Sequence, residues 1–125
     1  MGEFCTAISC MDGRIQLPVN EYLRVRFDAE FVDTITEKGP NLILTLGQDQ
    51  VMIESILDRT SISMHHHNSR GIAVVGHYDC AGNPSTNDEQ IEHIKQSVLY
   101  LKEKTKDIEV IGLWVDEKWK VNEIV

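Results

Sequence analysis

Apolar residues in this chain fall into two patterns: short dense runs, and longer stretches in which they recur every three or four positions. Phe4-Cys5-Thr6-Ala7-Ile8, Gly71-Ile72-Ala73-Val74-Val75-Gly76 and Val110-Ile111-Gly112-Leu113-Trp114-Val115 are of the first kind. Runs of this length, rich in β-branched residues and bounded by glycine, read as strands buried on both faces, as in a parallel sheet. The pattern predicts strands near Phe4 to Ser9, Phe31 to Thr36, Ile72 to Val75 and Ile108 to Val115, with helices in the gaps. One helix is expected near Pro18 to Arg26. Another is expected near Gln48 to Arg59, where Val51, Met52, Ile56 and Leu57 form an apolar stripe. The clearest begins after Ser85-Thr86, beyond Pro84, because Thr86 and Glu89 have capping-box spacing and Ile91, Ile94, Val98 and Leu101 recur at helical intervals. The alternation predicts one α/β domain over residues 1–125, with a mainly parallel central sheet of about four strands flanked by helices.

Composition narrows the function classes. A chain of 125 residues can bury one core. Its formal net charge of −8 argues against nucleic-acid or anionic-membrane partners, which call for basic patches. No run approaches the roughly 20 apolar residues of a membrane helix, and Glu3 and Cys5 flank too short an apolar stretch for a secretion signal. The expected compartment is the cytoplasm, where three cysteines read as thiols or metal ligands rather than a disulfide framework.

Two of these cysteines carry the candidate chemistry. Cys10, His77 and Cys80 supply two thiolates and one imidazole, the donor count of a catalytic zinc site whose fourth position stays open. The H-x-x-C spacing sets His77 and Cys80 about one turn apart, while Cys10 comes from a distant part of the chain. Both segments follow predicted strands, and open α/β sheets place their sites at the carboxyl ends of strands. An H-x-x-C alone is a weak signal, and buried cysteines often serve as small hydrophobes. What strengthens it is Asp12 and Arg14, an acid and a guanidinium with no packing purpose two and four places after Cys10. Tyr78 and Asp79, between two ligands, are candidates for hydrogen bonds that orient them. Met64-His65-His66-His67-Asn68 could bind metal or carry protons, but is expected to be a solvated loop at the opposite end of the sheet. Cys5 is expected to be a buried core thiol, His93 an exposed or partner-facing helix residue, and Asp28 and Asp33 ordinary surface acids.

Cys10-x-Asp12-x-Arg14 followed by Gly76-His77-x-x-Cys80 resembles the β-class carbonic anhydrases, of which this would be a short, divergent member. The resemblance implies one Zn(2+) per subunit on Cys10, His77 and Cys80. It also implies a gating dyad, in which Asp12 is a fourth ligand in a closed state and is held away by a bidentate pair with Arg14 in an open one. The implied reaction is reversible hydration of carbon dioxide to bicarbonate by zinc-bound hydroxide. Gly13 stands where the family commonly has serine or alanine, and belongs with Tyr78 and Asp79 to the layer around the ligands. The family's bicarbonate-binding glutamine is replaced in the stretch Leu23-Arg24-Val25-Arg26, and Gln16 is near but out of register. A homodimer or higher homo-oligomer is implied, for which Trp114, Trp119, Val121 and Ile124 offer apolar surface; they could equally cover a sheet edge. Hydrolysis of carbonyl sulfide or carbon disulfide, or a non-catalytic zinc or anion-binding role, are the alternatives.

Overall fold

The structure is a computed structural model and describes residues 2–125. The strands are β1 (Phe4–Cys10), β2 (Phe31–Glu37), β3 (Ile72–His77), β4 (Val110–Val115) and β5 (Val121–Glu123). The helices are α1 (Gly13–Arg26), α2 (Pro40–Leu46), α3 (Gln50–His66) and α4 (Asn87–Thr105). The sheet runs β2-β1-β3-β4-β5, with the first four strands parallel and β5 antiparallel on β4. One more strand is present than expected. The additional one is β5, whose Val-Asn-Glu sequence carries no alternating apolar signal and pairs only through β4.

Pleating sends alternate residues to opposite faces. Cys5, Ala7, Ala73, Val75, Ile111 and Leu113 pack with Ile15, Val19 and Leu23 of α1. Ile8, Ile72, Val74 and Trp114 pack with Leu44 of α2, Ile53 and Ile56 of α3, and Ile94, Val98 and Leu101 of α4. Burying each of the valine, leucine and isoleucine side chains among these stabilises the fold by about 1.5–3 kcal/mol. Trp119, Val121 and Ile124 also pack on this core, so the last residues cover the chain's own sheet edge.

Chain order decides where the site forms. The chain steps from β1 to β2 on one side and then returns across β1 to β3 on the other. Neighbouring strands β1 and β3 therefore send their following loops in opposite directions, the crevice at which open α/β sheets bind ligands. Cys10 ends β1 and His77 ends β3.

Helix bounds differ from the expectation for local reasons. α1 starts at Gly13 because the Asp12 side chain accepts a hydrogen bond from the Arg14 N–H at 2.9 Å, and Pro18 sits inside the helix. α2 is only seven residues long, bracketed by Gly39 and Gly47 at positive φ, and shows no periodicity to read. α3 continues past Arg59 to His66, because its inner stripe is carried on by Thr60 and Ser63, which look like surface residues in the sequence. Val51 faces solvent, and Ile53 takes the inward place assigned to it.

The histidine run is thus not a loop. His65 and His66 form the last turn of α3, and His67 is its cap. It does lie at the amino-terminal end of the strands, away from Cys10, with His67 stacked on Phe4. Asp33 is not an ordinary surface acid either. It accepts from Ser63 Oγ at 2.7 Å and pairs with His67 Nδ1 at 2.6 Å, while Ser63 shares a buried hydrogen bond with Thr6. His93 is half-buried rather than exposed, its Nδ1 lying 3.0 Å from Asn83 Nδ2. Cys5 is fully buried and Asp28 exposed, as expected. Among the described residues, no helix is long and apolar enough to cross a membrane.

Candidate metal centre

The three predicted ligands meet. One ligand atom from each of Cys10, His77 and Cys80 lies within 4.8 Å of the others, and the two sulfurs are 3.8 Å apart. The turn after β3 brings Cys80 back. Tyr78 N–H continues the sheet ladder to Val115 C=O at 2.8 Å, and Asp79, at φ 58°, then reverses the chain. All three side chains are buried.

The imidazole is oriented for coordination. Its Nδ1 donates to the Tyr78 carbonyl at 2.7 Å, which fixes the tautomer and leaves Nε2 as the free ligand atom. Nε2 is buried and has no hydrogen-bond partner among the described residues. An orphaned buried nitrogen costs about 1–3 kcal/mol, and a cation between the imidazole and two sulfurs would satisfy it. Two thiolates and one imidazole suit a tetrahedral metal with one position left over.

Backbone N–H groups face both sulfurs: Gly39 and Asp12 donate to Cys10, and Asn83 and Gly82 to Cys80. The Cys80 thiol donates to Cys10, which together with His77 and these amides outweighs burial and lowers Cys10. Cys80 is pushed up, first by that same hydrogen bond and then by burial. For His77 burial acts downward, but Cys10 and the Tyr78 carbonyl prevail and raise it.

Beside it, Arg14 grips Asp12 with both arms of its fork. Nε reaches Oδ1 at 3.0 Å and an Nη reaches Oδ2 at 2.7 Å. Arg14 also donates to the Asp79 carboxylate at 3.3 Å and the Asp79 carbonyl at 3.1 Å. The pair is bidentate, with Asp12 turned toward the guanidinium. The Arg14 hydrogen bonds outweigh desolvation and hold the Asp12 carboxyl down at about 2. A depressed carboxyl stabilises the fold above its ordinary value near 3.9 and loses that contribution as pH falls through about 2. In metal-free protein, carbon-13 NMR should find the Asp12 carboxyl ionised at pH 4, where ordinary surface carboxyls are half titrated. A midpoint near 4 would show that the pair does not form in solution.

A family profile described as "Putative carbonic anhydrase" matches residues 1–125. The chain belongs to that carbonic anhydrase family. Its fold agrees. A mutant of the β-carbonic anhydrase CafD of Aspergillus fumigatus superposes with a TM-score of 0.65 at 13% identity, covering 99% of this chain and 90% of that one. The β-carbonic anhydrase CafA of the same fungus gives 0.53 at 14% identity, covering 98% and 74%. A structure from work on two tetrameric β-carbonic anhydrases of Sordaria macrospora gives 0.54 at 14% identity, covering 98% and 80%. Among curated proteins, none matches.

Two supports of the cluster have little signature in the sequence. Gln16 donates from Nε2 to both the Cys10 and Asp12 carbonyls at 2.9 Å, tying the ligand loop to the first turns of α1. Its position six residues after Cys10 was the only signal. The other support is a crossing of two loops at glycines. A Cβ on Gly82 would lie 2.5 Å from the Lys38 carbonyl carbon, and one on Gly39, at φ 58°, would lie 2.6 Å from the Gly82 carbonyl carbon. This approach brings the Gly39 and Gly82 amides to their sulfurs. Gly82→Ala should cost about 1–3 kcal/mol in chemical denaturation and weaken metal binding in a chelator competition. Gly13→Ala is the control, since a side chain there meets open space, and it should be neutral. A Cβ at Gly13 would meet nothing within 4 Å, while the Tyr78 carbonyl accepts from His77 and the Asp79 carbonyl accepts from Arg14.

Proposed function

We propose that this chain is a zinc enzyme that interconverts carbon dioxide and bicarbonate, with Cys10, His77 and Cys80 holding one zinc ion per subunit. The observation that carries the reading is the buried, partnerless His77 Nε2 beside two cysteine sulfurs, in a chain of a carbonic anhydrase family. Zinc bound there supplies a Lewis acid that makes water a nucleophile near neutral pH.

The chain's own residues do the rest. The Tyr78 carbonyl keeps His77 in the tautomer that presents Nε2. The amides of Gly39, Asp12, Asn83 and Gly82 hold the sulfurs and temper their charge. Asp12 stays ionised in the grip of Arg14, so it can act only as a hydrogen-bond acceptor, and its role is to accept a hydrogen bond from the attacking water and orient that water. Arg14 keeps the Asp12 carboxylate from occupying the open position itself. A planar fork suits this task and a lysine ammonium does not.

We further infer a homodimer or larger assembly of this chain, supported by Met11 and Leu17, which flank Asp12 and are each about two-thirds exposed. Free thiolate ligands also favour a reducing compartment such as the cytoplasm. Parallel assays of zinc-loaded protein with carbon dioxide and with carbonyl sulfide test the substrate. Faster turnover of carbon dioxide supports the reading. Turnover of carbonyl sulfide alone would make the chain a hydrolase, and turnover of neither would leave a binding protein.

A further inference from the structure

We propose that Trp119 is a positioning residue for Arg14 and, through Arg14, for Asp12; this rests on the dyad reading above. The Arg14 guanidinium carbon lies 4.5 Å from the centroid of the Trp119 ring. A guanidinium over an indole face is attracted by the ring quadrupole, and the stack leaves the in-plane N–H groups free to bond elsewhere. Here those groups bond Asp12 and Asp79.

The backbone of Trp119 makes a covering role an inadequate account of it. Trp119 sits at φ 61°, a left-handed conformation that glycine or asparagine adopts readily and a bulky side chain does not. A residue needed only to shield the sheet edge would not require this. Such outliers persist where their surroundings over-determine them, and they gather at functional sites. Asp116 supplies the over-determination. Its Oδ1 accepts from the Lys118 and Lys120 amides at 2.9 and 3.0 Å, its Oδ2 accepts from Asn122 at 3.1 Å, and its carbonyl accepts from the Trp119 amide at 2.9 Å. The turn between β4 and β5 is built to aim the indole at Arg14.

Asp79 grips the other side of the guanidinium, yet its carboxylate is 70% exposed, and an exposed ion pair contributes little. The half-buried indole, packed against the α1 core, is the firmer support. Without it, Arg14 is held from one side only, and Asp12 is freer to move to the open metal position.

Cobalt(II) in place of zinc makes that position visible. Azide, titrated into the cobalt-loaded protein, must compete with Asp12 for it, and the absorption bands of the metal report the exchange. In Trp119→Leu the apparent azide affinity should fall about three- to fivefold, the range of a partly exposed cation–π contact, with cobalt content unchanged. Trp119→Phe should recover part of the loss. Adding Asp12→Asn to Trp119→Leu should restore wild-type affinity, because a carboxamide does not compete. Unchanged azide affinity in fully loaded Trp119→Leu would overturn the proposal and leave Trp119 as edge cover. Proton NMR of the unsubstituted chain tests the same contact without a variant. The Arg14 side-chain protons should be shifted upfield by the indole ring, and random-coil shifts would overturn the proposal. Wild-type protein that takes up no cobalt would overturn the metal reading itself, a failure distinguishable from the other two.

Discussion

Cys80→Ala is expected to give a folded chain that no longer holds zinc in a one-to-one ratio and hydrates carbon dioxide no faster than buffer does. The substitution removes one of three donors, and a histidine with a single thiolate does not make a stable tetrahedral site. Loss of an outer hydrogen bond to a ligand already costs 10- to 100-fold in metal affinity, so loss of the ligand should exceed about 100-fold. The fold should survive, because Cys80 lies in the loop after β3 and outside every strand and helix. Cys10→Ala should behave alike. Cys5→Ala should not, although Cys5 lies in the same strand as Cys10. Its thiol is raised to about 11, first by burial and then by Asp33, and it belongs to the core, not the cluster. Metal analysis of the three purified variants, with denaturation curves alongside, checks the set. Full zinc content in Cys80→Ala would contradict the assignment of ligands.

Arg14→Lys and Asp12→Asn are expected to show the opposite split, keeping zinc and losing about 100-fold or more in kcat. Neither side chain belongs to the Cys10, His77 and Cys80 cluster, so metal content should hold. What each variant loses is aim. Lysine offers one charge in place of two parallel hydrogen bonds, and the carboxylate is then no longer fixed beside the open position. Misplacing a group near a reacting centre by about 1 Å can cost 100-fold. Carbon dioxide hydration measured per bound zinc separates the effects. Undiminished turnover in both variants would remove the dyad from the reaction and favour a simpler site.

The parts legible in the sequence are those with a local signature. β1, β3 and β4 announce themselves as β-branched runs because a strand covered on both faces needs apolar residues on both. His77 and Cys80 were legible as metal-binding residue types three positions apart, and Cys10 by the Asp12 and Arg14 that follow it; the fold brings the three within 4.8 Å. α4 was readable from its capping box, which joins Thr86 and Glu89 three positions apart. What stayed hidden depends on partners far along the chain. Asp33 becomes a network member only when α3 brings Ser63 and His67 to it, 30 and 34 residues later. Gly39 and Gly82 acquire meaning only where two loops cross. α3 was read seven residues short because Thr60 and Ser63 bury hydroxyls that have found partners, which no hydropathy pattern registers. Trp119 read as apolar surface, since neither its left-handed backbone nor Arg14 beneath its ring is written in residues 116–122 alone.

A zinc-loaded carbonic anhydrase site exchanges oxygen between carbon dioxide and water. Membrane-inlet mass spectrometry of oxygen-18 labelled bicarbonate measures that exchange at chemical equilibrium. Label should leave carbon dioxide at a rate proportional to the zinc bound, and at the uncatalysed rate for metal-free protein and for Cys80→Ala. Uncatalysed label loss from fully zinc-loaded protein would contradict the assignment.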